Sequence, residues 1–182
     1  AGEVSNNGCP TGNVTEEPWN TIKVTTYEIG VDEIGNEIGK TKAYFDCLGK
    51  SVQTLSLDYK TNTTWATQTM YDAQGRAALQ SLSAPAYDAE TFLYKENFIL
   101  KPNDTPYTSN DFESSPQNPS EVGDRALSLG WYYSNNNRNE QHQDITDYPF
   151  ARTIYSELNP GTALKTIGGN KLDGQWRNGY SF

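Results

Sequence analysis

Few side chains in this sequence are suited to chemistry: one histidine, His142, two cysteines, Cys9 and Cys47, and scattered carboxylates. His142 lies in the run Asn139-Glu140-Gln141-His142-Gln143-Asp144, a polar setting typical of an exposed loop. To act as a base for Cys47 or a nearby serine it would need that nucleophile within hydrogen-bond reach. Nothing in the spacing supplies this, and the surface reading is the stronger. Glu90, Asp104, Asp111 and Glu113 offer carboxylates for a glycosidase-like pair, yet such a pair is defined by the separation of its oxygens and not by residue type. Asp32, Glu33, Asn36 and Glu37 lack the ordered Asp-x-Asp-x-Asp-Gly loop that holds calcium, so no metal is assigned. The pairs Ile29-Gly30, Ile34-Gly35 and Ile38-Gly39 fit no phosphate-cradling pattern and read as turns or bulges. No cofactor and no catalytic residue is expected.

The residues with a clear physical task are those of a repeat. Tyr44-Phe45-Asp46-Cys47-Leu48-Gly49-Lys50 returns as Met70-Tyr71-Asp72-Ala73-Gln74-Gly75-Arg76, an offset of 26 residues from Asp46 to Asp72. Each copy places an aromatic strand end before Asp-x-x-Gly, then a basic residue, then an alternating segment. The pattern predicts a β-hairpin. Asp at the first turn position accepts hydrogen bonds from the turn's own N–H groups, and Gly at the fourth tolerates positive φ. Lys50 or Arg76 emerges close enough to its Asp for a charge-assisted contact, which contributes only about 0–1 kcal/mol if exposed. Beyond the turns, Val52, Thr54 and Leu57, or Leu79 and Leu82, are expected to give the returning strand an apolar face.

These turns need strands to carry them, and the composition suits strands. The 182 residues suffice for one ordinary core, and with only 35% hydrophobic residues but 12 Tyr, 4 Trp and 6 Phe, burial must lean on aromatic side chains. That balance favours sheets over helical bundles. With 14 Lys+Arg against 23 Asp+Glu the formal charge is -9, a sign that repels phosphate backbones, so no nucleic-acid partner is expected. No apolar run approaches the roughly 18 residues of a membrane helix, and direct membrane insertion is not expected. Residues 1–18, rich in Gly, Asn, Pro and Thr, read as a flexible N-terminal arm. The start has no basic and apolar leader, so if the chain is exported its signal peptide is already removed.

The remaining organisation follows from changes in texture. Residues 19–100 hold strands, beginning with the β-branched segment Ile22 to Tyr27, and the two hairpins. Residues 101–147, with Pro102, Pro106, Pro116, Pro119 and the run Ser134 to Asn139, read as a loop-rich insertion. Within it, Arg125 to Tyr133 is apolar enough to predict a strand that docks on the sheet. Residues 148–182 hold a third, degenerate hairpin, turning at Pro160-Gly161, and a tail. The expectation is an all-β, antiparallel hairpin meander with a long loop insertion. Cys9 and Cys47 permit one disulfide, tying the arm to the first hairpin with a typical benefit of about 2–4 kcal/mol, or two free thiols.

On the words Tyr-Phe-Asp-x-Leu-Gly-Lys-x-Val-Gln-Thr at 44–54, Tyr-Asp-Ala-x-Gly-Arg at 71–76 and Tyr-Pro-Phe with its Gly-rich turn at 148–169, the chain resembles the YD-repeat or Rhs family of secreted bacterial proteins. It is similar to the segment near the N-terminal end of the repeat region. The resemblance implies a strand-bearing part of a larger β-sheet shell around a toxin or other cargo. Its implied partners are the remainder of such a chain, that cargo, and a bacterial secretion channel or outer-membrane component. It further implies a secreted or cell-surface location. Cys47 stands where the family commonly has Gly, and Lys50 where it commonly has Arg. The family's self-cleaving aspartate region has no counterpart here.

The rival reading is a small secreted β-sheet binding module for carbohydrate or protein, with Trp131, Tyr132 and Tyr133 as an aromatic platform. Exposed and coplanar rings would favour it; burial would favour the wall. Asn13, Asn62 and Asn103 begin glycosylation sequons that do not discriminate between the two.

Overall fold

The computed structural model describes residues 2–5, 19–29, 34–86, 92–140, 142–176 and 180–181. These form an all-β protein of antiparallel strands in meander order with little helix. The chain divides into two compact units, Ala1–Thr67 with Pro85–Glu96, and Gln68–Ala84 with Asn97–Phe182.

The first unit holds β1 (Gly2–Ser5), β2 (Asn20–Ile29), β3 (Ile34–Phe45), β4 (Ser51–Asp58) and the first part of β5 (Thr63–Tyr71), in the order β1-β2-β3-β4-β5. Register aligns Thr21 with Tyr44 and Tyr44 with Gln53, so three buried side chains form one row across β2, β3 and β4. The segment ending at Glu96 covers this row. The Tyr44 hydroxyl donates to the Phe92 carbonyl, while the Gln53 amide brackets Lys95, donating to its carbonyl at 3.1 Å and accepting from its N–H at 2.7 Å. Tyr94 packs edge-on against Tyr44 at 5.5 Å and lies tilted over Trp19 at 4.8 Å. Aromatic burial does the work that aliphatic residues would do elsewhere.

The apolar face of β4 differs from the expected one. Gln53 and Leu55 are buried, whereas Val52 and Thr54 are half-buried on the other side of the strand. A polar Gln takes a core position because both ends of its amide find backbone partners. Similarly, Leu79 is buried but Leu82 is 41% exposed, because Leu82 lies past the end of its strand.

The second unit holds the rest of β5, then β6 (Ala77–Ser81), α1 (Asn110–Glu113), α2 (Leu129–Tyr132), β8 (Phe150–Tyr155), β9 (Ala163–Gly168), β10 (Lys171–Leu172), β11 (Gln175–Trp176) and β12 (Tyr180–Ser181). Its order is β5-β6-β8-β9-β12, with β10 and β11 as a separate pair. The two-residue β7 (Ala84–Pro85) lies where the chain passes between units. Phe98, Leu100, Phe112, Leu129, Phe150 and Ile167 are fully buried here, so residues 97–149 supply much of this core.

The strand expected at Arg125 to Tyr133 is corrected. Leu129–Tyr132 is a helical turn, begun by Ser128 in extended conformation, whose hydroxyl accepts the Trp131 N–H at 3.3 Å. A short apolar run carries no period that separates strand from helix, and the serine cap decides here. Glycine is required within this turn: a Cβ on Gly130 would lie 2.2 Å from the Gly123 carbonyl oxygen.

Candidate functional site

The Asp-Gly turns are built alike, atom for atom. In the first, Asp46 Oδ1 accepts the N–H groups of Leu48 at 2.9 Å and Lys50 at 2.8 Å, and the Gly49 N–H donates to the Asp46 carbonyl at 3.0 Å. In the second, Asp72 Oδ1 accepts the N–H groups of Gln74 at 3.0 Å and Arg76 at 2.8 Å, and the Gly75 N–H donates to the Asp72 carbonyl at 2.9 Å. Gly49 and Gly75 have φ of 76° and 78°, left-handed values that a Cβ would strain. One carboxylate oxygen thus satisfies two turn donors in each copy, and a register shift follows each turn.

The second turn goes further. Arg76 Nε meets Asp72 Oδ2 at 2.6 Å, and the same guanidinium donates to the Ser156 carbonyl at 3.2 Å and lies 4.6 Å from the centre of the Tyr155 ring. Burial pushes the Asp72 carboxyl up, but the Arg76 N–H and guanidinium outweigh it and hold Asp72 below the ordinary aspartate range. The third hairpin, between β8 and β9, turns without an aspartate: the Thr162 N–H donates to the Asn159 carbonyl at 3.1 Å and Gly161 has φ 89°.

The other residues singled out by sequence fall as follows. Cys47 is an exposed free thiol on the first turn, and Cys9 lies outside the described residues. Tyr132 and Tyr133 are 3% and 7% exposed and Trp131 is half-buried. The two tyrosine rings meet edge to face, 5.0 Å apart at 87°, so they are not a coplanar platform. Their hydroxyls are engaged, Tyr132 with Glu140 at 2.6 Å and Tyr133 with the Ser83 carbonyl at 2.7 Å, and burial pushes Tyr133 up to about 12. His142 is exposed, and Asp32, Glu33 and Glu90 lie outside the described residues. Asp111 accepts from Thr108 and pairs with Lys101 at 3.3 Å, while Glu113 pairs with Arg152 at 2.6 Å. Among the described residues, no three His, Cys, Asp or Glu side chains converge as a metal site, and no helix is long and apolar enough to cross a membrane.

Sequence reasoning missed Arg152, which is only 3% exposed on β8. It donates to the carbonyls of Ala78, at 3.1 Å, and Thr153, and lies 4.8 Å from the centre of the Phe112 ring. The available signal was parity: Arg152 shares a strand face with Phe150, so it points inward and requires an acid partner.

Compared with curated proteins and with solved structures, the chain matches none. A family model does match it, over residues 21–122, which takes in β2 to β7, both Asp-Gly turns and α1. The chain belongs to the family DUF6443, a domain of unknown function.

Proposed function

We propose that this chain is a non-catalytic wall segment of a secreted YD-repeat shell that encapsulates or displays cargo. The observation that carries this reading is the pair of turns at Asp46–Lys50 and Asp72–Arg76, which repeat one hydrogen-bond pattern within an antiparallel meander. A wall that grows by adding hairpins needs a turn that can be repeated without redesign, and an Asp-x-x-Gly turn satisfies its own donors at each copy. Sheet edges also support it, since an open sheet gains by pairing with further strands of its own chain. The partners of such a segment are the rest of the shell chain and its cargo, with a secretion channel or outer-membrane component on the route to the cell surface. Burial of Tyr132 and Tyr133 weighs against the binding-module alternative.

The test is the intact mass of the protein from its native source, peptide mapping beyond Phe182, and electron microscopy of the purified product. A larger chain carrying further Tyr-Asp-x-x-Gly repeats and forming hollow particles is expected. A mature protein ending at Phe182 would overturn the shell reading and favour a small binding module.

A further inference from the structure

In a β-hairpin the turn fixes register, but β6 and β8 are neighbours joined through residues 82–149, so no turn sets theirs. Their ladder has only three pairs, Leu79 with Arg152, Gln80 with Ala151 and Ser81 with Phe150. A one-residue slip would turn Phe150 outward and is excluded by burial. A two-residue slip is different. It returns every side chain of β8 to the same face, so the alternation of buried and exposed residues does not exclude it. Something specific to position must do so.

Two arginines occupy this seam and reach across it in opposite directions. From the start of β6, Arg76 reaches the far end of β8, bonding the Ser156 carbonyl and stacking on Tyr155, while Asp72 holds it from behind at 2.6 Å. From β8, Arg152 reaches back to the Ala78 carbonyl of β6 and outward to Glu113 of α1. Tyr155 closes the same seam by donating to the Ala77 carbonyl at 2.9 Å. Neighbouring residues along a strand are about 3.3 Å apart, so a two-residue slip would carry Arg76 away from the Ser156 carbonyl and the Tyr155 ring, and Arg152 away from the Ala78 carbonyl, while Asp72 and the Thr153 carbonyl travel with their own arginines.

We infer that Arg76 and Arg152 form a register latch: they are positioning residues that select one alignment of the β8–β9 hairpin on β6 after the long excursion of the chain. Arg152 is a costly residue for stability alone. It is nearly sealed from water, and its Nε has no hydrogen-bond partner among the described residues. Its acid partner Glu113 is 34% exposed, so the pair offsets the desolvation of the guanidinium only in part; charged groups held in this way often return little net stability, and setting registry is their best-attested use. The latch does not depend on the chain belonging to a shell.

The test reads register directly, by disulfide formation in the full chain carrying Cys9→Ser and Cys47→Ser. One version adds Gln80→Cys with Ala151→Cys, the observed partners; another adds Gln80→Cys with Thr153→Cys, the partners after a two-residue slip. With both arginines present, the 80–151 crosslink is expected to dominate. With Arg76→Ala and Arg152→Met together, the 80–153 crosslink should rise to match or exceed it. An unchanged ratio in the variant would overturn the latch. Arg76→Lys is the milder companion, keeping the charge but losing the planar fork and ring stacking. By hydrogen exchange it should lower protection of β8 amides about tenfold while those of the β2–β3 hairpin hold. Equal loss in both hairpins would mean general destabilisation and would also sink the proposal.

Discussion

The Asp72 carboxylate and the Arg76 guanidinium meet at 2.6 Å across the β5–β6 turn, with the Asp72 side chain 2% exposed and that of Arg76 23% exposed. Asp46 makes the same two backbone contacts in a less buried turn. Removing a buried acceptor leaves its donors unsatisfied, so Asp72→Ala should lower unfolding free energy by about 3 kcal/mol, and Asp46→Ala by about 1.5 kcal/mol. Denaturant titration of the two variants checks the order, which equal losses would contradict.

Acid should reveal the same carboxylate. Its folded pKa lies below the unfolded value, so its stabilisation is fully present above about 3.9, the ordinary aspartate value, and is lost as pH falls through the depressed folded one. The contribution of Asp72 should therefore be level from neutrality to mildly acidic conditions and decline below about pH 4. Asp72→Asn should show a shallower decline when denaturation midpoints are followed with pH.

Asp147 behaves oppositely. Burial pushes its carboxyl up, and the charges of Glu121 and Asp124 push it further. A carboxyl that binds its proton more tightly when folded contributes least at neutral pH, and its contribution improves as pH falls through the raised value. Asp147→Asn should therefore raise Tm at neutral pH, with the gain shrinking on acidification. Added salt should shrink it as well, since the repulsion is screened. A variant less stable than the parent at pH 7 would contradict this.

Two glycines should respond differently to alanine. A Cβ on Gly49 would meet nothing within 4 Å, so Gly49→Ala should cost only the left-handed backbone penalty, about 1–2 kcal/mol. Gly49→Asn should cost less. A Cβ on Gly168 would lie 1.9 Å from the Phe150 carbonyl oxygen, so Gly168→Ala must displace β8 from β9. Thermal unfolding should rank Gly168→Ala well below Gly49→Ala.

The turns were legible because Asp and Gly do their work locally, within five residues of sequence. The antiparallel meander followed from them, since each such turn returns the chain beside itself. What stayed hidden depends on distance. Gln53 looked like a surface residue because its partner, Lys95, lies 42 positions away. Arg152 went unremarked because Glu113 and Ala78 lie 39 and 74 positions away. The helical turn at Leu129 was hidden for a local reason: its apolar run is too short to show a period, and the Ser128 cap was the only local sign.

The interleaving of the two units has a consequence for synthesis on the ribosome. Strands β1 to β4 emerge first, yet the Tyr44 hydroxyl and the Gln53 amide wait for Phe92 and Lys95, which leave the exit tunnel only after the β5–β6 turn and β6, both of the other unit, have been made. The nascent strands of the first unit therefore carry Tyr44 and the Gln53 amide uncovered for dozens of elongation steps. A chaperone that shields extended aromatic surface should bind most strongly to nascent chains arrested between the second Asp-Gly turn and Glu96.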